Sequence, residues 1–143
     1  MDKLIQERIQ KLVQDTDLFE YHNVTLGNMR IIDRGAPPYC VIYPGGFDQP
    51  RLQFSGNTLH QPVWTYPVDI VERFLDDDYT PIVDARQVFM DQMNLYPTLD
   101  GLQSVTNARV TRGDPPRYLF PQDGGEIPTF VLMRLEIAVT VIS

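Results

Sequence analysis

The chain contains a single cysteine, Cys40, and this scarcity excludes an internal disulfide. Cys40 lies in the apolar segment Tyr39–Tyr43, a setting that favours a buried, unreactive thiol over a catalytic one. No apolar run reaches the length of about 18 residues that a membrane-spanning helix requires. The first residues also lack the basic and apolar blocks of a secretory signal, so we expect a protein made in the cytoplasm and without a membrane partner.

Basic residues are outnumbered: 12 Lys and Arg stand against 19 Asp and Glu, which gives a formal net charge of -7. A protein that grips nucleic acid through its phosphates needs clustered Lys and Arg, so the composition argues against such a surface. It is compatible with a protein that DNA passes without being retained, because a surface with excess negative charge repels phosphate.

The usual signatures of catalytic and metal sites are missing as well. The two histidines, His22 and His60, lack the spacing of a zinc site, and neither a nucleophile elbow nor a phosphate-binding loop occurs. Three carboxylates at Asp76–Asp78 could hold Mg²⁺ or Ca²⁺, but adjacent carboxylates diverge along a chain, and a charge cluster at a helix entry is the favoured interpretation. Arg112–Asp114 spells an adhesion tripeptide and is interpreted as a turn. We expect no catalytic residues, no metal and no cofactor.

What the sequence does contain is a long alternating segment at its C-terminal end, Thr129–Ile142. Its odd-numbered positions from Val131 to Val141 are all apolar, whereas the even-numbered positions include charged, small and hydroxyl residues, the pattern of a strand with one buried face. At roughly 3.3 Å per residue, about 14 residues would span on the order of 45 Å. Such a strand needs a paired neighbour of comparable length inside a sheet.

The segment Pro62–Leu75 supplies that neighbour. Its aromatic and aliphatic residues alternate with polar ones, so that one face is apolar. The residues of that face are Trp64, Tyr66, Val68 and Ile70. Because proline has no N–H to donate, Pro67 in the middle of this strand predicts a bulge or a position at the sheet edge.

Two segments carry helical periodicity. Asp2–Gln14 is predicted to be an amphipathic helix because its apolar residues recur every three or four positions. The second helix is predicted over Pro81–Tyr96, with Thr80 as N-cap and proline at the first helical position. Its apolar stripe should lie across the sheet.

Shorter alternating segments and two long flaps complete the chain. The segments predicted to be extended are Phe19–Leu26, Met29–Asp33, Tyr39–Tyr43 and Leu102–Thr111. The flaps are Pro44–Gln61 and Arg112–Gly125, and in the first of them Ser55–Thr58 could close a hairpin that begins with Arg51–Phe54. Flaps of this length usually serve a partner or a ligand, the alternative being a surface excursion that packs on its own domain.

Together these elements predict a single α+β domain over residues 1–143. Its sheet should be mostly antiparallel, with about four strands, two helices packed on one face and two long flaps.

The order of these segments resembles that of the tail terminator (tail completion) proteins of long-tailed bacteriophages and of the related small neck proteins. The resemblance covers nearly the whole chain. It rests on the opening amphipathic helix, the short apolar strand behind a proline pair (Pro37–Tyr43), and the long aromatic strand that ends in an acidic turn (Trp64–Asp78). A helix closed by Pro97–Gly101, a strand, a flap and a final strand follow. The likeness is one of layout and includes no catalytic motif.

This resemblance implies a structural virion protein of the tail or neck, assembled in the host cytoplasm. Proteins of this family form a ring, typically a hexamer, that caps the tail tube and joins it to the head connector or stopper protein, leaving a channel for DNA. A ring closes through heterologous interfaces, and flaps that reach the next copy could form them. We expect the flaps to supply apolar anchors and charged rim groups. These residues are Arg51, Leu52, Phe54, Arg112, Arg117, Tyr118 and Phe120.

Two alternatives remain open. One is a head-completion or neck protein that binds the connector and not the tube. The other, from a different class, is a small-ligand binding or hydrolytic domain that uses the flaps as lids over a pocket.

Overall fold

The computed structural model describes residues 2–27, 38–48, 51–54, 57–60, 62–74, 79–120 and 129–141, and from residue 47 to residue 60 it describes backbone alone. Two helices occur in these ranges, α1 (Asp2–Gln14) and α2 (Thr80–Leu95). The strands are β1 (Val24–Leu26), β2 (Tyr39–Ile42), β3 (Gly46–Asp48), β4 (Arg51–Phe54), β5 (Asn57–His60), β6 (Val63–Arg73), β7 (Val105–Gly113), β8 (Arg117–Leu119) and β9 (Phe130–Val141). The predictions for Met29–Asp33 and Asp76–Asp78 lie outside the described residues.

The two long strands predicted from the sequence pair with each other at the centre of the sheet. β6 and β9 are antiparallel, and each of the 11 residues of β6 has a partner, from Val63 opposite Thr140 to Arg73 opposite Phe130. At roughly 3.3 Å per residue this ladder is about 35 Å long. The predicted apolar faces are confirmed, since Tyr66, Val68 and Ile70 and the odd-numbered residues from Val131 to Val141 are buried.

Each side of this ladder is flanked by a strand that is interrupted at proline. β2 and β3 both pair with β6, and the gap between them contains Pro44. β7 and β8 both pair with β9, and the gap between them contains Pro115 and Pro116. The short β1 is parallel to β2 and forms one edge of the sheet. The sheet is therefore mostly antiparallel as predicted. Within the described ranges it has seven strands where about four were expected, because proline divides both flanking strands and the short β1 is added at one edge.

Pro67 does not cause a bulge, and the strand that contains it is not at the edge. Its partner across the ladder is Glu136, and the register on both sides of this pair is regular. The amide of Tyr43 donates to the Pro67 carbonyl at 3.0 Å, so Pro67 turns its backbone polar groups toward β2. Because β2 ends one residue earlier, at Ile42, the missing N–H falls where the flanking strand is already interrupted.

The irregularities are instead in β7, which has two register shifts relative to β9. A threonine lies at each shift. The hydroxyl of Thr106 donates to the Thr140 carbonyl at 3.1 Å, and that of Thr111 donates to the Glu136 carbonyl at 3.5 Å. These hydroxyl groups donate to backbone carbonyls of β9 at the two points where a bulge interrupts the backbone hydrogen bonds.

Both helices pack on the same face of the sheet, as predicted, and the bounds of α1 match the prediction. Ile5 and Ile9 of α1 and Phe89 and Met93 of α2 belong to one buried cluster with the apolar faces of β6 and β9. Two glutamines of α1 also connect the helix to the sheet through hydrogen bonds to backbone carbonyls. Gln6 Nε2 donates to the Ile42 carbonyl at 2.7 Å, and Gln10 Nε2 donates to the Val24 carbonyl at 2.9 Å.

The N-terminus of α2 differs from the prediction. Thr80 is the first residue of the helix, Tyr79 occupies the N-cap position, and no side-chain hydrogen bond caps the helix there. Tyr79 has φ -86 and ψ -4, a helical conformation rather than the extended one that an N-cap serine or threonine usually adopts. The proline therefore lies one position deeper in the first turn, where its missing N–H is still not needed.

Candidate protein interface

The first flap contains a hairpin that stands apart from the main sheet. β4 and β5 form a separate two-stranded sheet in which Phe54 is opposite Asn57, which confirms the predicted hairpin. Its register places Leu52, Phe54 and Leu59 at positions that share one face, and Arg51 at a position on the other. A two-stranded hairpin of this size is only marginally stable in water by itself.

Part of the second flap belongs to the sheet, although its prolines indicated a loop. Its residues 117–119 form β8, and the amide of Asp114 donates to the Arg134 carbonyl at 2.8 Å. Arg112 Nε contacts Asp114 Oδ1 at 3.0 Å. The adhesion-like tripeptide is not the turn that was predicted, because Arg112 and Gly113 are the last residues of β7 and Asp114 continues the pairing with β9. Residues 121–128 of this flap lie outside the described part of the chain.

The predicted aromatic anchors of this flap differ in their surroundings. The Tyr118 ring is half-buried and packs edge-on against Phe74, with centroids 5.5 Å apart, and it lies 6.0 Å from the Tyr79 ring. Phe120 is 56% exposed, which makes it one of the most exposed large apolar residues described. Arg117 is exposed as well. Phe120 is thus available to a partner, whereas Tyr118 also supports its own fold.

The structure does not bring the two sets of predicted interface residues together. The hairpin connects β3 to β6 where Val63 pairs with Thr140, whereas β8 lies at the other end of the central ladder, where Leu119 pairs with Phe130. The two flaps therefore leave the sheet about 35 Å apart, at opposite ends of the longest strands.

Between these ends, on the sheet face away from the helices, the exposed Arg134 pairs with a buried carboxylate, that of Asp69, and this pair was not predicted from the sequence. Asp69 is 1% exposed, and Arg134 holds both of its carboxylate oxygens, with Nε–Oδ1 at 2.7 Å and Nη2–Oδ2 at 2.9 Å. The guanidinium lies 5.3 Å from the centroid of the Tyr43 ring. The ionised Asp69 raises the pKa of Arg134, while desolvation and the same carboxylate raise the pKa of Tyr43 to about 12.

This cluster is suited to a structural role. The carboxylate of Asp69 accepts a bidentate pair of hydrogen bonds from Arg134. It is almost fully buried and so has no surface with which to act on a ligand. Asp69 and Arg134 are opposite each other in the β6–β9 register, so the pair fixes how the two strands align. The sequence carried a partial signal for it, since Asp69 and Arg134 are opposite charges near the middle of the two long alternating segments.

An open groove of about 380 Å³ lies between α2 and the last residues of β7. The groove was not predicted from the sequence, because its shape depends on how α2 crosses the edge strand β7. Residues from both elements and one from β9 line it. They are Arg86, Gln87, Met90, Val110, Thr111, Arg112, Gly113 and Leu135.

Groups associated with catalysis or metal binding are sparse in the described part of the chain. Burial and the nearby Asp69 raise the pKa of the Cys40 thiol, which is fully buried and so unreactive. Among residues with a described position, no three His, Cys, Asp or Glu side chains are grouped so as to hold a metal ion. No helix within the same ranges has the length and apolar character needed to cross a bilayer.

Comparison with known proteins gives a likeness of fold without a likeness of sequence. No protein-family model matches the chain, and no curated protein sequence matches it either. Among solved structures, the chain is similar to a chain of the virion of a native gene transfer agent (GTA) particle, with a TM-score of 0.61 and 10% sequence identity. The match covers 94% of each chain. The α+β fold described here is therefore shared, over nearly its full length, with a protein from a virion particle.

Proposed function

We propose that this protein is a structural component of a bacteriophage-type virion, and specifically a tail terminator. In this role it forms a ring, a hexamer by resemblance to that family, which caps the finished tail tube and docks it to the head connector or stopper protein. The observation that carries the proposal is the full-length likeness of fold to a chain of a GTA virion particle. The segment order that resembles tail terminators supports the same conclusion independently.

The positions of the flaps suit a protein that joins two structures. One flap leaves each end of a ladder about 35 Å long, so one copy can contact different neighbours at its two ends. Among the described residues, β4 and β5 pair with each other and with no further strand, and a hairpin of that size gains stability by packing on another surface. In the proposed ring, Leu52 and Phe54 of one flap and Phe120 of the other are apolar anchors, with Arg51, Arg112 and Arg117 at the rim and Tyr118 supporting Phe120.

The acidic composition fits a ring that surrounds DNA in transit. A net charge of -7 per chain disfavours retention of phosphates, so DNA would pass through the channel without being held. Such a protein performs its task by shape and assembly and needs no catalytic group.

The test begins with the assembly state of the purified protein. Native mass spectrometry and negative-stain imaging should give a closed ring, and the ring should bind the ends of tail tubes and stop their growth. A protein that stays monomeric in the presence of tube ends would refute the proposal. Binding to DNA-filled heads but not to tubes would assign the protein to the neck instead.

A paired variant tests the flaps. Changing Phe54 and Phe120 together to Ser should abolish ring formation or tube capping, because the proposed aromatic anchor of each flap is lost. Leu95→Ser is the matched control, since Leu95 is 70% exposed and belongs to α2, outside both flaps. Normal assembly of the Phe54→Ser/Phe120→Ser variant would show that the flaps are not the contacts.

A further inference from the structure

The groove between α2 and β7 combines an apolar floor with positive charge. Met90, Val110 and Leu135 contribute apolar surface, and Arg86 and Arg112 contribute the two charges. Arg112 already contacts Asp114, but Arg86 forms no ion pair with any residue that the structure describes. On a chain with net charge -7, a groove lined by two guanidinium groups and no carboxylate is an exception to the general surface.

A surface of complementary character lies at the other edge of the sheet. The turn that connects α1 to β1, which we call the acidic turn (Asp15–Tyr21), exposes the carboxylates of Asp15, Asp17 and Glu20. Next to them the Tyr21 ring is 70% exposed, the same fraction as the most exposed large apolar residue described. An aromatic side chain flanked by carboxylates is the chemical counterpart of an apolar groove flanked by arginines.

The acidic turn is held in one conformation. The Asp17 amide donates to the Gln14 carbonyl at 3.2 Å, and the Thr16 hydroxyl donates to the Val13 carbonyl at 2.7 Å. Asp17 has φ 59, a left-handed conformation that aspartate tolerates better than most residues. Phe19 is 4% exposed and anchors the turn in the core. A turn already fixed in this way loses little conformational entropy when it binds.

We propose that the groove of one copy receives the acidic turn of the next copy. The Tyr21 ring lies on the floor formed by Met90, Val110 and Leu135, while Glu20 and Asp17 face Arg86 and Arg112. The groove volume of about 380 Å³ is at the lower end of the range of small-molecule clefts, so one aromatic ring has room to lie in it. Tyrosine and arginine are the side chains most often found at the energetic centre of protein interfaces.

The positions of the two surfaces determine the kind of assembly. β1 and β7 are the two edges of the sheet, so the acidic turn and the groove lie at opposite sides of one copy. A contact between unlike surfaces is heterologous and repeats from copy to copy until it closes into a ring. This inference rests on the proposed ring and identifies the lateral contact within it. It assigns Arg112 to that contact and leaves the other flap residues to contact the tube and the connector.

Charge reversal on each side tests the contact. Arg86→Glu and Glu20→Arg should each raise the concentration needed for assembly about tenfold or more, as loss of a central interface charge does. Glu20 is chosen over Asp17 because its backbone is extended, with φ -60 and ψ 145, and tolerates any side chain. Tyr21→Ser should weaken assembly to a similar degree, and unchanged melting temperatures would establish that all three variants are folded.

Mixing the two charge variants gives the decisive readout. In a mixture, every groove with the Arg86→Glu change can meet a turn with the Glu20→Arg change, and every native groove can meet a native turn. Rings of alternating copies should therefore form at close to the wild-type concentration. Arg73→Glu and Glu7→Arg are controls that make the same charge changes at exposed positions elsewhere and should leave assembly unchanged.

The outcomes separate this inference from the proposed function. If wild-type protein assembles but the charge variants do so equally well, or if they are impaired and the mixture does not recover, the groove is not the contact, and the ring remains. If wild-type protein does not assemble even with tube ends, the proposed function itself fails.

Discussion

The buried pair between Asp69 and Arg134 leads to a prediction whose size follows from the structure. Replacing Arg134 with Met leaves the Asp69 carboxylate, which is 1% exposed, without its counter-ion. Removal of one partner from a buried ion pair costs about 3–5 kcal/mol. Because 44% of the Arg134 side chain is exposed, water replaces part of the lost interaction, and we expect the lower value, about 3 kcal/mol.

This loss should be visible in thermal unfolding. For a chain of 143 residues, the entropy of unfolding is about 0.3 kcal/mol/K, so a loss of about 3 kcal/mol corresponds to a decrease of about 10 °C in the melting temperature.

A double variant distinguishes the pair from either residue alone. Asp69→Leu combined with Arg134→Met replaces the ion pair with apolar side chains and should recover stability to within about 1 kcal/mol of wild type. The reasoning would be refuted if Arg134→Met cost less than about 1 kcal/mol at pH 7, or if the double variant were as unstable as Arg134→Met alone.

Two further predictions concern the space beside a glycine and the threonine hydroxyl groups at the bulges of β7. Gly45→Ala should lower the unfolding free energy by about 1–3 kcal/mol, because the new Cβ would lie 2.8 Å from Cζ of the fully buried Tyr66. Gly46→Ala should change the unfolding free energy little, because its Cβ would meet nothing closer than 3.9 Å. Equal melting temperatures for the two variants would contradict this. Thr106→Val should cost about 1 kcal/mol in urea unfolding because it removes the 3.1 Å hydrogen bond at a bulge, and Thr111→Val, with a bond of 3.5 Å, should cost less. The reverse order would show that the hydroxyls do not stabilise the bulges.

The central part of the fold was accessible from the sequence because it depends on periodicity. Alternation over Thr129–Ile142 identified β9, and the matching alternation in Pro62–Leu75 identified its partner β6. The helical spacing in Asp2–Gln14 gave both ends of α1 correctly. In these segments a single burial pattern extends over several turns or strand residues, so local sequence and tertiary packing agree.

The features that were missed depend on contacts between distant segments. Arg117–Leu119 is too short to show alternation, and it forms a strand only because β9 extends beyond β7 and provides unpaired backbone groups. Pro67 was interpreted as a bulge or an edge position, because the sequence does not show that the flanking strand ends beside it. The groove between α2 and β7 depends on helix placement, which periodicity does not determine.

The attachment of the flaps at opposite ends of the β6–β9 ladder also has a mechanical consequence. A pull between the hairpin and the 121–128 segment acts on the start of β6 in one direction and on the start of β9 in the other. The two strands would then be sheared along their length, and hydrogen bonds perpendicular to an antiparallel pair carry such a load together rather than opening one after another. A subunit built in this way resists extension along the axis of the β6–β9 ladder.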